Sequence, residues 1–285
     1  MDSRKRRSLL LFLTVAALIM SMPSEARHRH AAVDQPEIRS SAVLVLDEGS
    51  ATVLLARQAD VATPIASITK LMTALVVLGA QQPLGEILAV TEEDHEHGRG
   101  DRSRLAVGMR LTRGDLLHVA LMSSENRAAH ALGRNYPGGV PAFVAAMNGK
   151  AAVLGMRSAH FVDPTGLSSD NVASPTDLSR LVIAASHVPA IQHYSTDEKH
   201  AVRVGRRLLE FRNTDLLVRN PAWNISVQKT GYITEAGKCL VMKVLIRGRS
   251  IVIVLLDSFG KYTRVADAQR IRKWLETRRM ERVAS

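Results

Sequence analysis

The sequence predicts a mixed α/β protein of the α+β type. One antiparallel sheet is built from both chain ends and flanked by helices, and a mostly helical lobe is inserted between them. Three observations predict this. Strand-like apolar runs fall near the start ("SAVLVLDEGSATVLLA") and near the end ("WNISVQKTGYI", "KCLVMKVLIRG", "SIVIVLLDS"). Helical spacing of apolar residues fills the middle. The late strands are joined by tight turns, "TEAGK" and "RGR", which suit antiparallel neighbours. The 285 residues suffice for one large domain or two lobes with a substantial core.

Taken in order, the chain opens on Arg4, Lys5, Arg6 and Arg7, an apolar run from Leu9 to Met20, and Ser24-Glu25-Ala26. Small residues at the −3 and −1 positions of a cut make residues 1–26 a secretory signal peptide, cleaved near Ala26. The run is shorter than the roughly 20 residues that a spanning helix needs. The sequence therefore predicts export. Residues 27–40 are polar and mixed and read as a linker. Residues 41–285 read as a single domain, with a sheet lobe at 41–58 and 223–280 and a helical lobe at 64–190. In the first strand pair, Asp47-Glu48-Gly49-Ser50 makes the turn. A helix over 64–80, "PIASITKLMTALVVLGA", is apolar nearly all round and so predicted to be buried. Further helices are "RGDLLHVALM", "NRAAHALG", "VPAFVAAMNGKAAVLG" and "SPTDLSRLVIAASH", the last capped by Ser174 with Pro175 at its first position. An amphipathic helix closes the chain, from about Thr263 to Met280.

Charge and composition narrow the function. The net charge of +11 falls to +9 without residues 1–26, which suits an anionic partner such as a cell-wall polymer or a membrane surface. Aromatic residues make up only 4% of the chain, too few for base-stacking platforms, so nucleic acid is excluded as a partner. Cys239, the single cysteine, lies in the apolar run "CLVMKVLI" and reads as a buried strand residue rather than a reactive thiol. The histidines, including His28, His30, His95 and His97, form no spaced metal signature. No metal or organic cofactor is implied.

The buried helix carries a lysine, Lys70, one turn after Ser67. A helix places i and i+3 on one face, so the two point the same way. Ser67 also lies in the first turn, where unpaired N–H groups favour negative charge. Lysine is a poor base in water, but burial disfavours its charged form, and a second cation nearby does the same. The helix thus offers a nucleophile and a general base. Spacing alone does not decide the matter, because Ser-x-x-Lys recurs at Ser226/Lys229 and Ser258/Lys261. Ser226 is on a strand, where i and i+3 face opposite ways, and Ser258 ends one.

Two further elements complete a site. Ser124-Glu125-Asn126 lies at a junction between two helical runs and offers a hydroxyl and an amide. Lys229-Thr230-Gly231 lies on a strand, with Lys229 sharing one face with Ile225 and Val227. Gly231 removes a side chain where substrate and Ser67 must approach. The backbone N–H groups of Ser67 and Tyr232 suit an oxyanion hole.

Ser-x-x-Lys, Ser-x-Asn and Lys-Thr-Gly, in this order and at steps of 57 and 105 residues, resemble the signature of penicillin-binding proteins and serine β-lactamases. A decoy, Ser169-Asp170-Asn171, would reverse the step lengths to 102 and 60, and it follows a separate phrase, "VDPTGL". Longer stretches, "PIASITKLMTALVVL", "LMSSENRAAHALGRNYPGG", "FVDPTGLSSDN", "YSTDEKHAV" and "QKTGYITEAGKCLVM", resemble the D-alanyl-D-alanine endopeptidase branch of the low-molecular-mass penicillin-binding proteins, from about Ala42 to Leu275.

The resemblance implies a β-lactamase-like fold and a periplasmic serine peptidase that cuts D-Ala–diaminopimelate cross-links of peptidoglycan through an acyl-enzyme. It also implies that β-lactam antibiotics acylate and inhibit the enzyme. Carried over, it makes Ser67 the nucleophile, Lys70 its base, Ser124 a proton relay to the leaving amine, and Asn126 a ligand of the substrate amide. Lys229 and Thr230 would hold the substrate carboxylate or peptide. The nearest alternative is a D-Ala-D-Ala carboxypeptidase of the same family. Many of those carry a β-rich domain after the catalytic one, whereas this chain runs about 27 residues past its last strand. A β-lactamase is disfavoured because the Glu-x-x-Leu-Asn stretch that serves deacylation in class A enzymes is missing. A non-catalytic wall-binding protein gains no support from three intact motifs. Val265, Ala268, Ile271 and Leu275 line one side of the last, basic helix, which reads as packed on the sheet, with peripheral membrane contact as the second reading.

Overall fold

The computed structural model describes residues 35–95 and 103–277. The expected leader at 1–26 and the linker residues 27–34 lie outside them. The described chain runs β1 (Ser40–Asp47), β2 (Thr52–Arg57), β3 (Thr63–Pro64), a 3-10 turn (Ala66–Ile68), α1 (Thr69–Gly79), β4 (Ile87–Ala89) and β5 (Arg110–Thr112). Then come α2 (Arg113–Met122), α3 (Asn126–Arg134), α4 (Gly139–Val153), β6 (Val172–Ala173), α5 (Pro175–Ser186), α6 (Pro189–Thr196), β7 (Lys199–Val204) and β8 (Arg207–Arg212). The chain closes with β9 (Asn224–Ile233), β10 (Gly237–Ile246), β11 (Arg249–Ser258) and α7 (Thr263–Thr277).

The main sheet has the order β2-β1-β11-β10-β9, antiparallel throughout, so strands from both ends of the chain form one layer. Both faces are covered, which is why these strands read as continuous apolar runs. Along β11, Val252, Val254 and Leu256 join the core under the helical lobe. Ile251, Ile253 and Leu255 join the core under α7, with Ala268, Ile271, Trp274 and Leu275. Ala268, Ile271 and Leu275 of α7 are therefore packed on the sheet, as the helix's pattern predicts. No helix among the described residues is long and apolar enough to cross a membrane.

Buried Asp267 fastens α7 to the first strand: its Oδ2 accepts from Ser40 N at 2.8 Å and Ser40 Oγ at 2.6 Å, and Ser40 Oγ also meets Ser258 Oγ at 2.7 Å. The expected linker thus ends earlier than residue 40, since Ile38 and Ser40 are already buried.

The structure departs from the sequence reading elsewhere. The helix expected over 64–80 begins as a strand residue and a 3-10 turn, and its α-helical part starts only at Thr69. Lys229 shares a face with Val227 but not with Ile225. A bulge at Ser226, opposite Lys243 and Val244, sends Ile225 to the α7 side while Val227 stays on the lobe side. Helix α6, the β7–β8 hairpin and two short sheets, β3–β6 and β4–β5, were not anticipated. The last helix is described to Thr277, and residues 278–280 lie outside the described part.

Candidate active site

Ser67 sits in the 3-10 turn and Lys70 in the first turn of α1. The turn's first bond runs from Ile68 N to Ile65 O, so the Ser67 N–H lies ahead of it, at the electropositive end. Lys70 is 1% exposed. Its Nζ donates to Ser67 Oγ at 2.8 Å, to Asn126 Oδ1 at 2.7 Å and to the Thr165 carbonyl at 2.6 Å. An ammonium has three N–H donors, and each meets an acceptor here.

A loop after α4 buttresses this knot. Asp163 Oδ1 accepts from Thr165 N, Thr165 Oγ1 and Gly166 N at 2.6–2.7 Å, and its Oδ2 accepts from Ser168 N and Asn171 Nδ2 at 3.0 Å. Asn171 Oδ1 receives Val162 N at 2.7 Å and Asp163 N at 3.3 Å, and its carbonyl receives Ile65 N at 3.0 Å. The decoy Asn171 is thus a fully buried brace for the loop, not part of a Ser-x-Asn element. Thr73 Oγ1 holds Pro164 O at 2.6 Å. Gly166, at φ +80°, packs so tightly that a Cβ would sit 1.9 Å from Ala66 O. Ala66 itself has φ +48°, and its carbonyl accepts from Thr69 Oγ1 at 2.8 Å. Contacts from both sides pin this strained residue just before Ser67.

The Ser-x-Asn element closes one side. Ser124 has φ +62°, a second strained non-glycine, and α3 starts at Asn126. The turn brings Asn126 onto Lys70. It does not join the Ser124 hydroxyl by a hydrogen bond to Ser67, Lys70 or Lys229 among the described residues.

β9, one of the two edge strands of the main sheet, closes the other side. A Cβ on Gly231 would lie 3.2 Å from Ser67 N and 3.0 Å from Ile65 O, so the strand and the turn meet backbone to backbone. Lys229 is fully buried and donates to Thr230 O at 2.8 Å. Burial first, then the charges of Lys70 and Arg264, push its amine well below the usual lysine range, against the opposing pull of Asp215. Thr230 Oγ1 lies 2.6 Å from Thr214 Oγ1. Tyr232 is exposed, with Lys238 Nζ 3.9 Å above its ring. Arg264 of α7 reaches over to donate to Gly231 O at 3.3 Å.

The Ser67 hydroxyl, the buried Lys70 amine, the Ser-x-Asn turn on one side and the Lys-Thr-Gly edge strand on the other thus meet around Ser67. The described residues contain no cluster of His, Cys, Asp and Glu arranged to hold a metal ion. Cys239 is a buried residue of β10 on the lobe side of the sheet, and burial pushes its thiol up to about 11, so it is inert at neutral pH.

The chain matches the peptidase S11 family, described as D-alanyl-D-alanine carboxypeptidase, over residues 29–260. It belongs to that family. Among S11 peptidases it is 46% identical to a D-alanyl-D-alanine endopeptidase of Pseudomonas aeruginosa, over 95% of this chain and 87% of the relative. It is 45% identical to a D-alanyl-D-alanine endopeptidase of Escherichia coli, over 85% and 79%. A D-alanyl-D-alanine carboxypeptidase of a Streptomyces species is more distant, at 28% identity over 94% and 97%. The crystal structure of the Streptomyces K15 DD-transpeptidase superposes with a TM-score of 0.77 at 25% identity, covering 84% of this chain and 98% of that one. The S11 fold accounts for the order of elements that brings both chain ends into one sheet.

Three contributors to the site escaped the sequence reading: the Thr165 carbonyl, Thr214 and Arg264. For the first, the available signal was the turn chemistry of "DPTG". Arg264 stands out as the arginine at the start of an otherwise sheet-facing helix. Thr214 lies in a stretch with no clear periodicity.

Proposed function

We propose that the protein is a serine DD-endopeptidase that hydrolyses the D-Ala–diaminopimelate cross-links of peptidoglycan through an ester on Ser67. The observation that carries the mechanism is the three-way coordination of Lys70 Nζ. Asn126 Oδ1 and Thr165 O accept only, so Lys70 must donate to both. In the neutral amine, two N–H bonds meet these acceptors and the lone pair falls toward Ser67 Oγ, 2.8 Å away. The protein thereby aims the base at the nucleophile's proton.

Ser67 Oγ attacks the D-Ala carbonyl carbon as Lys70 takes its proton. The tetrahedral oxyanion meets the N–H groups of Ser67 and Tyr232. As the C–N bond breaks, the proton that Lys70 took from Ser67 passes to the leaving amine of diaminopimelate; for Ser124 to relay it, the Ser124 hydroxyl must turn onto Lys70. Water, deprotonated by Lys70, then cleaves the ester and restores Ser67. With its Oδ1 committed to Lys70, Asn126 offers its Nδ2 to a substrate carbonyl. Thr230 would bind the carboxylate beside the scissile bond, with the buried Lys229 amine behind it on Thr230 O, and the basic chain suits an anionic polymer. Benzylpenicillin would form the same ester on Ser67 and inhibit the enzyme. The reading also carries secretion to the periplasm, by the leader at 1–26.

Residues 27–285 should be given two muropeptides, a cross-linked dimer and a monomer ending in D-Ala-D-Ala, with products read by mass and Ser67→Ala as control. Splitting of the dimer with the monomer intact is the expected result. Loss of one alanine from the monomer with the dimer whole would make the enzyme a carboxypeptidase instead.

A further inference from the structure

Thr214, in the short loop after β8, is held on both sides by bonds that do not involve its own hydroxyl. Buried Asn213 before it donates to Ser195 O at 2.9 Å and Asp197 O at 2.8 Å, and its Oδ1 accepts from Gln228 Nε2 and Asp215 N at 2.9 Å. Asp215 after it accepts from Leu217 N at 3.0 Å. The Thr214 N–H donates to Met122 O at 3.1 Å, just ahead of the Ser124-Asn126 turn. Its hydroxyl is therefore not needed to fix the loop. It lies 2.6 Å from Thr230 Oγ1, and only a long 3.5 Å from Met122 O, which already receives the Thr214 N–H.

A hydroxyl has one proton to give. A substrate carboxylate is acceptor-only, so Thr230 can bond it only by donating. The short bond between the two threonines must then run from Thr214 to Thr230. We propose that Thr214 is a positioning residue for carboxylate recognition: it donates to Thr230 and so leaves the Thr230 proton directed at the substrate's carboxylate. The idea rests on the endopeptidase reading for its substrate, the carboxylate of diaminopimelate next to the scissile bond. It makes Thr214–Thr230–carboxylate a chain of donors that spans from the end of α2 to the edge strand.

The test compares wild type, Thr214→Val and Thr214→Ser on the cross-linked dimer and on a dimer whose diaminopimelate carboxyl is amidated, with benzylpenicillin acylation run in parallel. Valine keeps the shape and removes the proton. We expect Thr214→Val to raise KM for the dimer about tenfold with kcat within about twofold, the pattern of lost ground-state binding. Thr214→Ser should recover wild-type KM, and the amidated dimer should show no difference among the three proteins. Benzylpenicillin, which carries its own carboxylate, should acylate Thr214→Val about tenfold more slowly at low concentration. A wild-type KM for Thr214→Val overturns the proposal, as does a serine variant as poor as valine or an equal loss on the amidated dimer. Wild type that is acylated by penicillin but leaves the dimer whole sinks the endopeptidase reading alone, and the acylation rates then judge Thr214. Wild type inert to both overturns the reading and the proposal together.

Discussion

The chain spells Ser-x-x-Lys three times, and the three copies end in different chemistry. At Ser67/Lys70 a helical turn brings amine and hydroxyl to 2.8 Å in a buried pocket. At Ser226/Lys229 the serine is the bulge residue of β9 and donates to Lys243 O at 3.2 Å, while the lysine lies on the lobe-side face with its amine on Thr230 O. At Ser258/Lys261 the serine is locked to Ser40, and the lysine is exposed on the loop beyond β11. Spacing sets only which residues are three apart; the backbone period decides whether they meet. The first copy makes the hydroxyl–amine contact proposed as nucleophile and base, and the second supplies its lysine to the same site from the opposite side.

The sharpest way to break this comparison is to delete each serine. Ser67→Ala should abolish labelling by fluorescent penicillin, and Ser226→Ala should leave it within about twofold of wild type, because Ser226 meets only a strand carbonyl. Lys70→Met, which keeps length and removes the base, should slow acylation by roughly a hundred- to ten-thousand-fold, read by stopped-flow quenching.

The next largest effects separate the two glycines that touch the nucleophile's turn. Gly166→Ala forces a Cβ into the Ala66 carbonyl at positive φ. It should cost about 3 kcal/mol or more in urea unfolding, with activity lost alongside. Gly231→Ala meets its neighbours at 3.0–3.2 Å. It should cost about 1 kcal/mol yet still cut acylation strongly, because the displaced atom is the Ser67 N–H.

Two asparagines make a finer contrast. Asn171→Ala strands the N–H groups of Val162 and Asp163 and should destabilise by about 2 kcal/mol, with acylation slowed only through the loop. Asn126→Ala should shift the melting temperature little and slow dimer cleavage far more. The two outcomes reversed would make the decoy the true element.

The smallest effect comes from a second polar cluster. Buried His118 on α2 stacks between Tyr194, at 4.4 Å between centroids, and His200, at 3.9 Å. Its Nε2 makes no directed hydrogen bond, although Asp197 stands 3.0 Å away. Burial first, then the charges of His200 and His193, lower its pKa to about 3, with Asp115 opposing. The unfolded chain takes up this proton at about pH 6.5. Stability from this group is therefore complete above pH 6.5 and drains away as pH falls toward 3. Unfolding at pH 7 and 5.5 should differ by about 1 kcal/mol on this account, and His118→Leu should remove that difference. Unlike Lys70, whose donors all meet acceptors, this buried ring is held neutral at pH 7.

The parts of the fold that were legible in the sequence are those whose periodicity is enforced by burial. β9 to β11 are covered on both faces and α2 to α5 face one core, so their apolar spacing announces them. The β7–β8 hairpin was missed because little of it is buried. Val202 and Phe211 point inward, and Lys199, Arg203, Arg207 and Arg212 face outward, so the apolar signal is thin. The side chains proposed for the site are named by motif and spacing, and the fold brings Ser67, Lys70 and Asn126 into contact. The Thr165 carbonyl was not legible, because a backbone acceptor can be supplied by any residue, and only the fold says which one arrives 2.6 Å from an amine. The parity argument for Lys229 failed at one residue, Ile225, because a bulge leaves no periodic trace.

The most direct test of the central claim is the site of the covalent adduct. The protein would be incubated with benzylpenicillin, digested with trypsin and mapped by mass. The structure predicts one penicillin on the peptide 58–70, at Ser67, and none after Ser67→Ala or on the peptides that carry Ser124 and Ser226. An adduct on another serine, or undiminished labelling of the Ser67→Ala protein, would contradict the assignment of Ser67 and Lys70 as nucleophile and base.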